Sequence, residues 1–194
     1  QGKGGISTAL TGFRETAVFK QYGIDFVTSH SGSQKGKDFA QAFMHLGKHV
    51  GGGDIVWLHC GNWFSILRKL VLALVVKTKG GKVVFHFHSQ EMDSYLKHAV
   101  LHFFIRRLCF FSDGIVVLTP WWKKRFVNAI PGIVDKILVL PNPIDESLIN
   151  AEVSSKQCRG NDDYVHLLAM SRLVSGKGFE ESIRALSLLP EQYR

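Results

Sequence analysis

The sequence of 194 residues predicts an α/β fold, a Rossmann-like doubly wound parallel sheet. Three observations carry that expectation. Short apolar runs of strand length alternate with longer segments of helical periodicity. The short runs are apolar throughout, as strands buried on both faces require. Glycine and proline fall at the joints between segments.

The elements follow in order. After a glycine cluster at 2–5, Ile6, Leu10, Phe13 and Ala17 share one helical face, which predicts a helix ending near Gly23. A strand is expected at 24–28 and a polar loop at 31–37. Asp38 is placed to cap a helix running to about His49. Gly51, Gly52 and Gly53 end it, 55–58 reads as a strand and 63–78 as a helix. Gly80 and Gly81 turn the chain into a strand at 83–87, and the longest helix is expected at 94–111. A strand at 114–118 precedes Pro120, which suits the first turn of a helix to about Ala129. A last strand at 137–140 stops at Pro141.

Polar residues then dominate 146–163, which reads as a linker, before a strand at 164–170 and a helix at 178–189. The expected organisation is an N-terminal domain over 1–145 lacking its first strand, a linker over 146–163, and the truncated start of a C-terminal domain over 164–194.

Composition narrows the function classes. With 45% hydrophobic residues the chain can bury a substantial core, which excludes a disordered tail or a fibre. Cys60, Cys109 and Cys158 are odd in number and far apart, which fits a reducing compartment better than a disulfide framework. The apolar run at 70–76 stops at Lys77, short of a membrane span, and no signal-peptide pattern appears. A cytoplasmic protein is expected. The formal charge of +8 is uneven: residues 1–145 carry +9 and residues 146–194 carry −1. The first unit should therefore face something anionic, whether nucleic acid, a lipid head-group surface or a phosphorylated substrate.

In an open parallel sheet, ligands bind outside the carboxyl ends of the strands. Those ends bring Ser29, His30, His59, His86, His88, Ser89, Thr119 and Asn142 to one edge, either as a site or as ordinary solvent-facing groups. Gly2, Gly4 and Gly5 would let a phosphate approach the first amides of the following helix, or they form a tight turn. Ile6-Ser7-Thr8 follows, so the lysine of a P-loop is missing and that motif is excluded.

His86 and His88 share a strand face as a metal pair would, with Glu91 and Asp93 nearby, but further ligands do not follow at the required spacing. No metal is expected. There is no Gly-x-Ser-x-Gly elbow, no evident carboxylate pair and no cysteine in a catalytic context. Near the end, Arg172 and Lys177 precede Gly178 on a loop between an apolar run and a helix. They could clamp a diphosphate, the arginine in bidentate fashion and the lysine as a point charge, or be two solvated cations.

That segment, Ser171-Arg172-Leu173 followed by Lys177-Gly178, resembles the start of the second domain in retaining glycosyltransferases of family 4. Gly4-Gly5-Ile6 is similar to the family's glycine loop, Asp54 to His59 to its first aspartate–histidine strand, and Val83 to His88 to the strand ending in a functional histidine. Gly114 to Thr119 with Trp122, and Pro141-Asn142-Pro143-Ile144-Asp145, match two later motifs. Ser171 and Pro143 stand where the family has glycine.

The resemblance implies a two-domain GT-B fold, with the donor held mainly by the second domain and the acceptor by the first. Arg172 and Lys177 would bind the donor diphosphate, Gly4, Gly5 and Gly178 would serve the donor side, and His88 would hydrogen-bond the transferred sugar. His59, Asn62, Thr119 and Asn142 are acceptor-side candidates. A UDP- or GDP-sugar is the implied co-substrate, with no other cofactor and no metal. The implied activity is that of a hexosyltransferase acting with retention on a lipid-linked saccharide in bacterial surface polysaccharide assembly, such as lipopolysaccharide or capsule. A sucrose- or trehalose-type synthase and a catalytically silent binding module are the alternatives. The family's paired glutamates would lie beyond residue 194, so the chain by itself is expected to be inactive.

Residues 66–82 hold Arg68, Lys69, Lys77, Lys79 and Lys82 and no acid. Arg106, Arg107, Lys123 and Lys124 then lie among Phe103, Phe104, Phe110, Trp121 and Trp122. Cations beside large aromatics suit an anionic membrane surface, or else the rings are core and the cations a solvated face. No base-reading motif accompanies the charge, so nucleic acid is not expected.

Overall fold

The structure, a computed structural model, describes residues 5–30, 34–143, 167–170 and 177–190. The chain falls into two compact units, Gln1–Asn150 and Ala151–Arg194. In the first, α1 (Gly5–Glu15), α2 (Ala17–Gln21) and α3 (Lys35–His49) precede β1 (Ile55–Cys60). Then come α4 (Trp63–Thr78), β2 (Lys82–Phe87), α5 (Met92–Lys97), α6 (Ala99–Phe111) and β3 (Gly114–Val117). α7 (Pro120–Ala129), a 3-10 segment (Pro131–Lys136) and β4 (Ile137–Val139) complete it. In the second unit, the described residues contain one helix, α8 (Phe179–Ser187).

The four strands form one parallel sheet in the order β1-β2-β3-β4, the fold class that the sequence predicts. Strand alternation divides its side chains. Leu58, Cys60, Val83, Phe85, Phe87, Ile115, Val117 and Ile137 are buried on one face, where Phe87 meets Phe126 of α7 at 5.1 Å between ring centroids. Trp57, His59, Val84 and His86 occupy the other face, where Phe13 of α1 lies edge-on to Trp57 at 5.0 Å. Asp113 ties three elements together: its carboxylate accepts the Val83 amide at 2.6 Å and the Lys77 ammonium at 2.6 Å.

α4 and α7 match the sequence expectation because their starts are chemically marked. Asn62 accepts the Ser65 amide at 3.1 Å, and Thr119 accepts the Trp122 amide at 3.2 Å with Pro120 in the first turn.

Four expectations are corrected. The helix expected through to Gly23 breaks at Thr16, whose extended backbone and hydroxyl, bonded to the Phe13 carbonyl at 2.7 Å, start α2 afresh. The helix expected at 94–111 starts earlier and breaks at His98, where ψ is 118° and the ring accepts the Leu101 amide to cap α6. α3 begins at Lys35, leaving Asp38 in its first turn rather than at its cap. Residues 24–28 join no ladder among the described residues; they lie exposed, with Phe26 against Phe19 at 5.8 Å and under the Arg14 guanidinium at 5.4 Å. An apolar segment without a hydrogen-bonding neighbour is not a strand.

The strand expected at 164–170 lies partly outside the described residues, and 167–170 has no regular structure. Among the described residues, no helix is long and apolar enough to cross a membrane.

Candidate functional site

The carboxyl ends of β1 and β2 bring three imidazoles together. His59 and His86 are register partners across the two strands, and His88 lies two residues further along the same face. The His88 amide donates to the Cys60 carbonyl at 2.9 Å, so the pairing continues one residue past β2 and fixes the position of the third ring. Ring centroids are 4.9 Å apart for His59 and His86, 5.1 Å for His59 and His88, and 4.0 Å for His86 and His88. His59 Nδ1 and His88 Nε2 are hydrogen-bonded at 2.9 Å, so one of them donates and the other accepts.

Aromatic packing holds the cluster. Trp57 stacks on His86 at 5.4 Å with the rings 5° from parallel, and Phe13 lies 6.4 Å from the same ring. His86 is 0% exposed, and neither of its ring nitrogens has a hydrogen-bond partner. A buried nitrogen left in that state costs on the order of 1–3 kcal/mol.

Burial, reinforced at His59 and His86 by the neighbouring rings, lowers all three pKa values, to about 4 for His88 and about 3 for His59, with His86 pushed down furthest. At neutral pH the three rings are therefore uncharged, each with one N–H and one lone pair. Such a cluster can hydrogen-bond hydroxyl groups or offer nitrogen lone pairs to a metal. It does not supply a stored positive charge.

α1 begins beside these strand ends. A side-chain carbon added at Gly61 would meet Ile6 at 3.3 Å, and one added at Gly12 would meet the Pro143 ring at 2.7 Å. The absence of a side chain at Gly12 thus lets α1 approach the segment that follows β4. Gly5 is the first residue of α1, while Gly4 lies outside the described residues.

The other expected residues separate into groups. Asn62 and Thr119 use their side-chain oxygens as helix caps, and Asn142 is exposed after β4. Arg68 and Lys69 are half-buried: the Lys69 ammonium donates to the Ser29 hydroxyl, and Arg68 Nε is buried without a partner. Arg106 and Arg107 lie over the Phe110 and Phe103 rings at 5.6 and 5.1 Å. Trp121 is exposed and Trp122 half-buried, their rings edge to face at 4.7 Å; Lys123 is half-buried and Lys124 exposed. An open depression nearby is lined by Asp93, Lys97, Trp121, Lys124, Arg125 and Asn128.

In the second unit Lys177 is exposed, and Gly178 takes φ +81° to enter α8, a conformation that favours glycine. Arg172 lies outside the described residues.

Sequence reasoning put His59, His86 and His88 along one sheet edge, but missed the direct contact between their rings and the packing of Phe13 and Trp57 around them. The i, i+2 spacing of His86 and His88 was a usable signal. The partnership with His59 depends on strand register, which no local pattern displays.

The sequence profile of Glycosyltransferase Family 4 matches residues 26–148. The chain belongs to this family. The matched span takes in all four strands and all three histidines, while α1, Arg172 and Lys177 lie outside it. No curated protein and no solved structure matches the chain. For a family 4 glycosyltransferase, the histidine cluster stands where the open-sheet rule puts a ligand, outside the carboxyl ends of parallel strands.

Proposed function

We propose that this family 4 protein transfers a hexose from a UDP- or GDP-sugar, with retention, to a lipid-linked saccharide of cell-surface polysaccharide assembly. The observation that carries the reading is the position of His88. It stands just past β2, in hydrogen-bond contact with His59 and uncharged, within the span that matches the family. A neutral imidazole there can hydrogen-bond a sugar hydroxyl without holding an anion in place. Arg172 and Lys177 take up the charge that develops on the leaving diphosphate, so that step needs no divalent cation.

Support for a lipid-linked acceptor is the outward surface of α4 and α6. Phe64, Leu67, Val71 and Leu74 are exposed on α4, and Val100, Phe103, Phe104 and Phe110 on α6. The two helices touch through Trp63 and Phe104 at 6.1 Å. Arg106 and Arg107 lie along the same rings, which gives the patch the cation–aromatic character of a head-group contact. Lys69, turned in toward Ser29, is not part of that surface.

The test is transfer of labelled sugar from UDP- and GDP-sugars to lipid pyrophosphate saccharides, using the longest form of the protein that carries this sequence. One donor should be used, and H88A and R172A should each lower kcat by at least ~100-fold, as loss of groups acting on the reacting sugar and diphosphate does. Equal turnover by the H88A and wild-type proteins would refute the reading.

A further inference from the structure

We propose that the depression between α5 and α7 binds an acidic saccharide, its ring on Trp121 and its carboxylate or phosphate on Arg125 and Lys124. None of the lining residues belongs to the histidine cluster, so this is a separate site. The binding does not depend on the transferase reading; the assignment of its ligand to the acceptor chain, held away from the reacting sugar, does rest on it.

The first observation is Trp121. It lies in the first turn of α7 and is 58% exposed. Its ring stands edge to face with Trp122 at 4.7 Å, and Trp122 meets the fully buried Phe126 at 6.3 Å. The exposed indole is thereby tied to the core, so little freedom is lost when a ligand covers it. An indole offers an apolar face to the C–H face of a pyranose while the sugar hydroxyls keep their polar partners.

The second is the polar set beside that ring. Trp121, Lys124, Arg125 and Asn128 recur at intervals of three and four, so they share one face of α7. Asp93 of α5 closes the other side: one carboxylate oxygen accepts from Arg125 Nε, and the other pairs with the Lys97 ammonium at 2.5 Å. The acid is thus engaged within the protein and fixes the guanidinium, whose two terminal nitrogens can grip an anion in bidentate fashion. Asn128 supplies an amide that both donates to and accepts from hydroxyls.

The third is charge and size. Lys97, Lys124 and Arg125 face the single acid Asp93, an excess of two positive charges that a neutral sugar would leave unused. The depression measures about 380 Å³, within the range of small-molecule sites. Its concave shape and the acid within it favour a discrete sugar over a lipid surface, which calls for rings and cations presented outward.

The experiment is calorimetric titration of the trisaccharide of α-1,4-linked galacturonic acid into the full chain, with maltotriose, inorganic phosphate and anionic phospholipid vesicles in parallel. The acidic trisaccharide should bind saturably, at least ~10-fold tighter than maltotriose or phosphate, and more weakly as salt rises. W121A should weaken binding by at least ~10-fold and W121F much less, because a ring remains. R125K, which keeps the charge and loses the fork, should also cost about 10-fold, and K124Q about 3-fold. Circular dichroism checks the fold of each variant. Binding that H88A leaves unchanged would support a separate site whatever becomes of sugar transfer. Equal binding of maltotriose or of phosphate would overturn the proposal, as would full affinity in W121A and K124Q. Vesicle binding lost in those two variants, with no trisaccharide bound by wild type, would assign the face to a membrane and overturn it too.

Discussion

Asp113 shows how much one side chain can organise. It receives the Val83 amide at the start of β2 and the Lys77 ammonium at the end of α4. Burial alone would raise its pKa, but these two hydrogen bonds, together with the Lys77 and Lys82 charges, outweigh burial and hold the carboxyl below its ordinary range. The sign follows from linkage: a depressed carboxylate adds stability above its unfolded pKa, and that stability is lost as pH falls through the folded value. D113N should lower stability at pH 7 by about 1–2 kcal/mol in urea melts and flatten the acid side of the stability profile. An unchanged acid limb would contradict this assignment. At this scale the sequence was partly legible. His86 and His88 read as one face because alternation along a strand is a local property. The strand-end rule put His59 on the same sheet edge, but its ring contacts with them were hidden, as was the inward turn of Lys69 to Ser29, because both depend on contacts made only in the folded chain.

Elements with marked ends were read correctly, and those with unmarked breaks were not. α4 and α7 keep their expected bounds because Asn62 and Thr119 cap them and Pro120 fixes the first turn of α7. Thr16 and His98 interrupt runs of uniform helical periodicity, so neither break stands out from the pattern. Capping also bears on Thr119 as an acceptor-side candidate. T119A should cost about 1 kcal/mol of stability and T119S much less, because the hydroxyl oxygen is what the Trp122 amide needs. Equal loss in both variants would count against the cap. Two glycines give opposite expectations. Gly47 lies within α3 with open space around it, so G47A should stabilise by about 0.5–1 kcal/mol through lower backbone entropy. At Gly81 an added carbon would meet Val76 and Val50 at 2.8 and 2.9 Å, so G81A should cost about 1–3 kcal/mol. Thermal melts of the pair would check both signs.

For the whole chain, uneven charge and parallel topology were legible from the sequence, because both are sums over many residues. The first 145 residues hold all of the positive excess, and α6 presents part of it beside exposed phenylalanines. The protein should co-sediment with anionic vesicles at low salt. Charge reversal in R106E/R107E should weaken that binding by at least ~10-fold, at about 1 kcal/mol for each basic residue removed. Binding to neutral vesicles alone would favour a purely apolar contact. The central claim is that the strand ends carrying His59, His86 and His88 serve sugar transfer from a nucleotide-sugar. Its most direct measurement is calorimetric titration of UDP- and GDP-sugars into the longest form of the protein carrying this sequence, with the imidazole proton resonances followed in parallel. Saturable binding of one nucleotide class, with the His88 signal shifted and binding weakened in H88A, is the predicted result. Binding of neither class, or binding that leaves His88 unmoved, would contradict it.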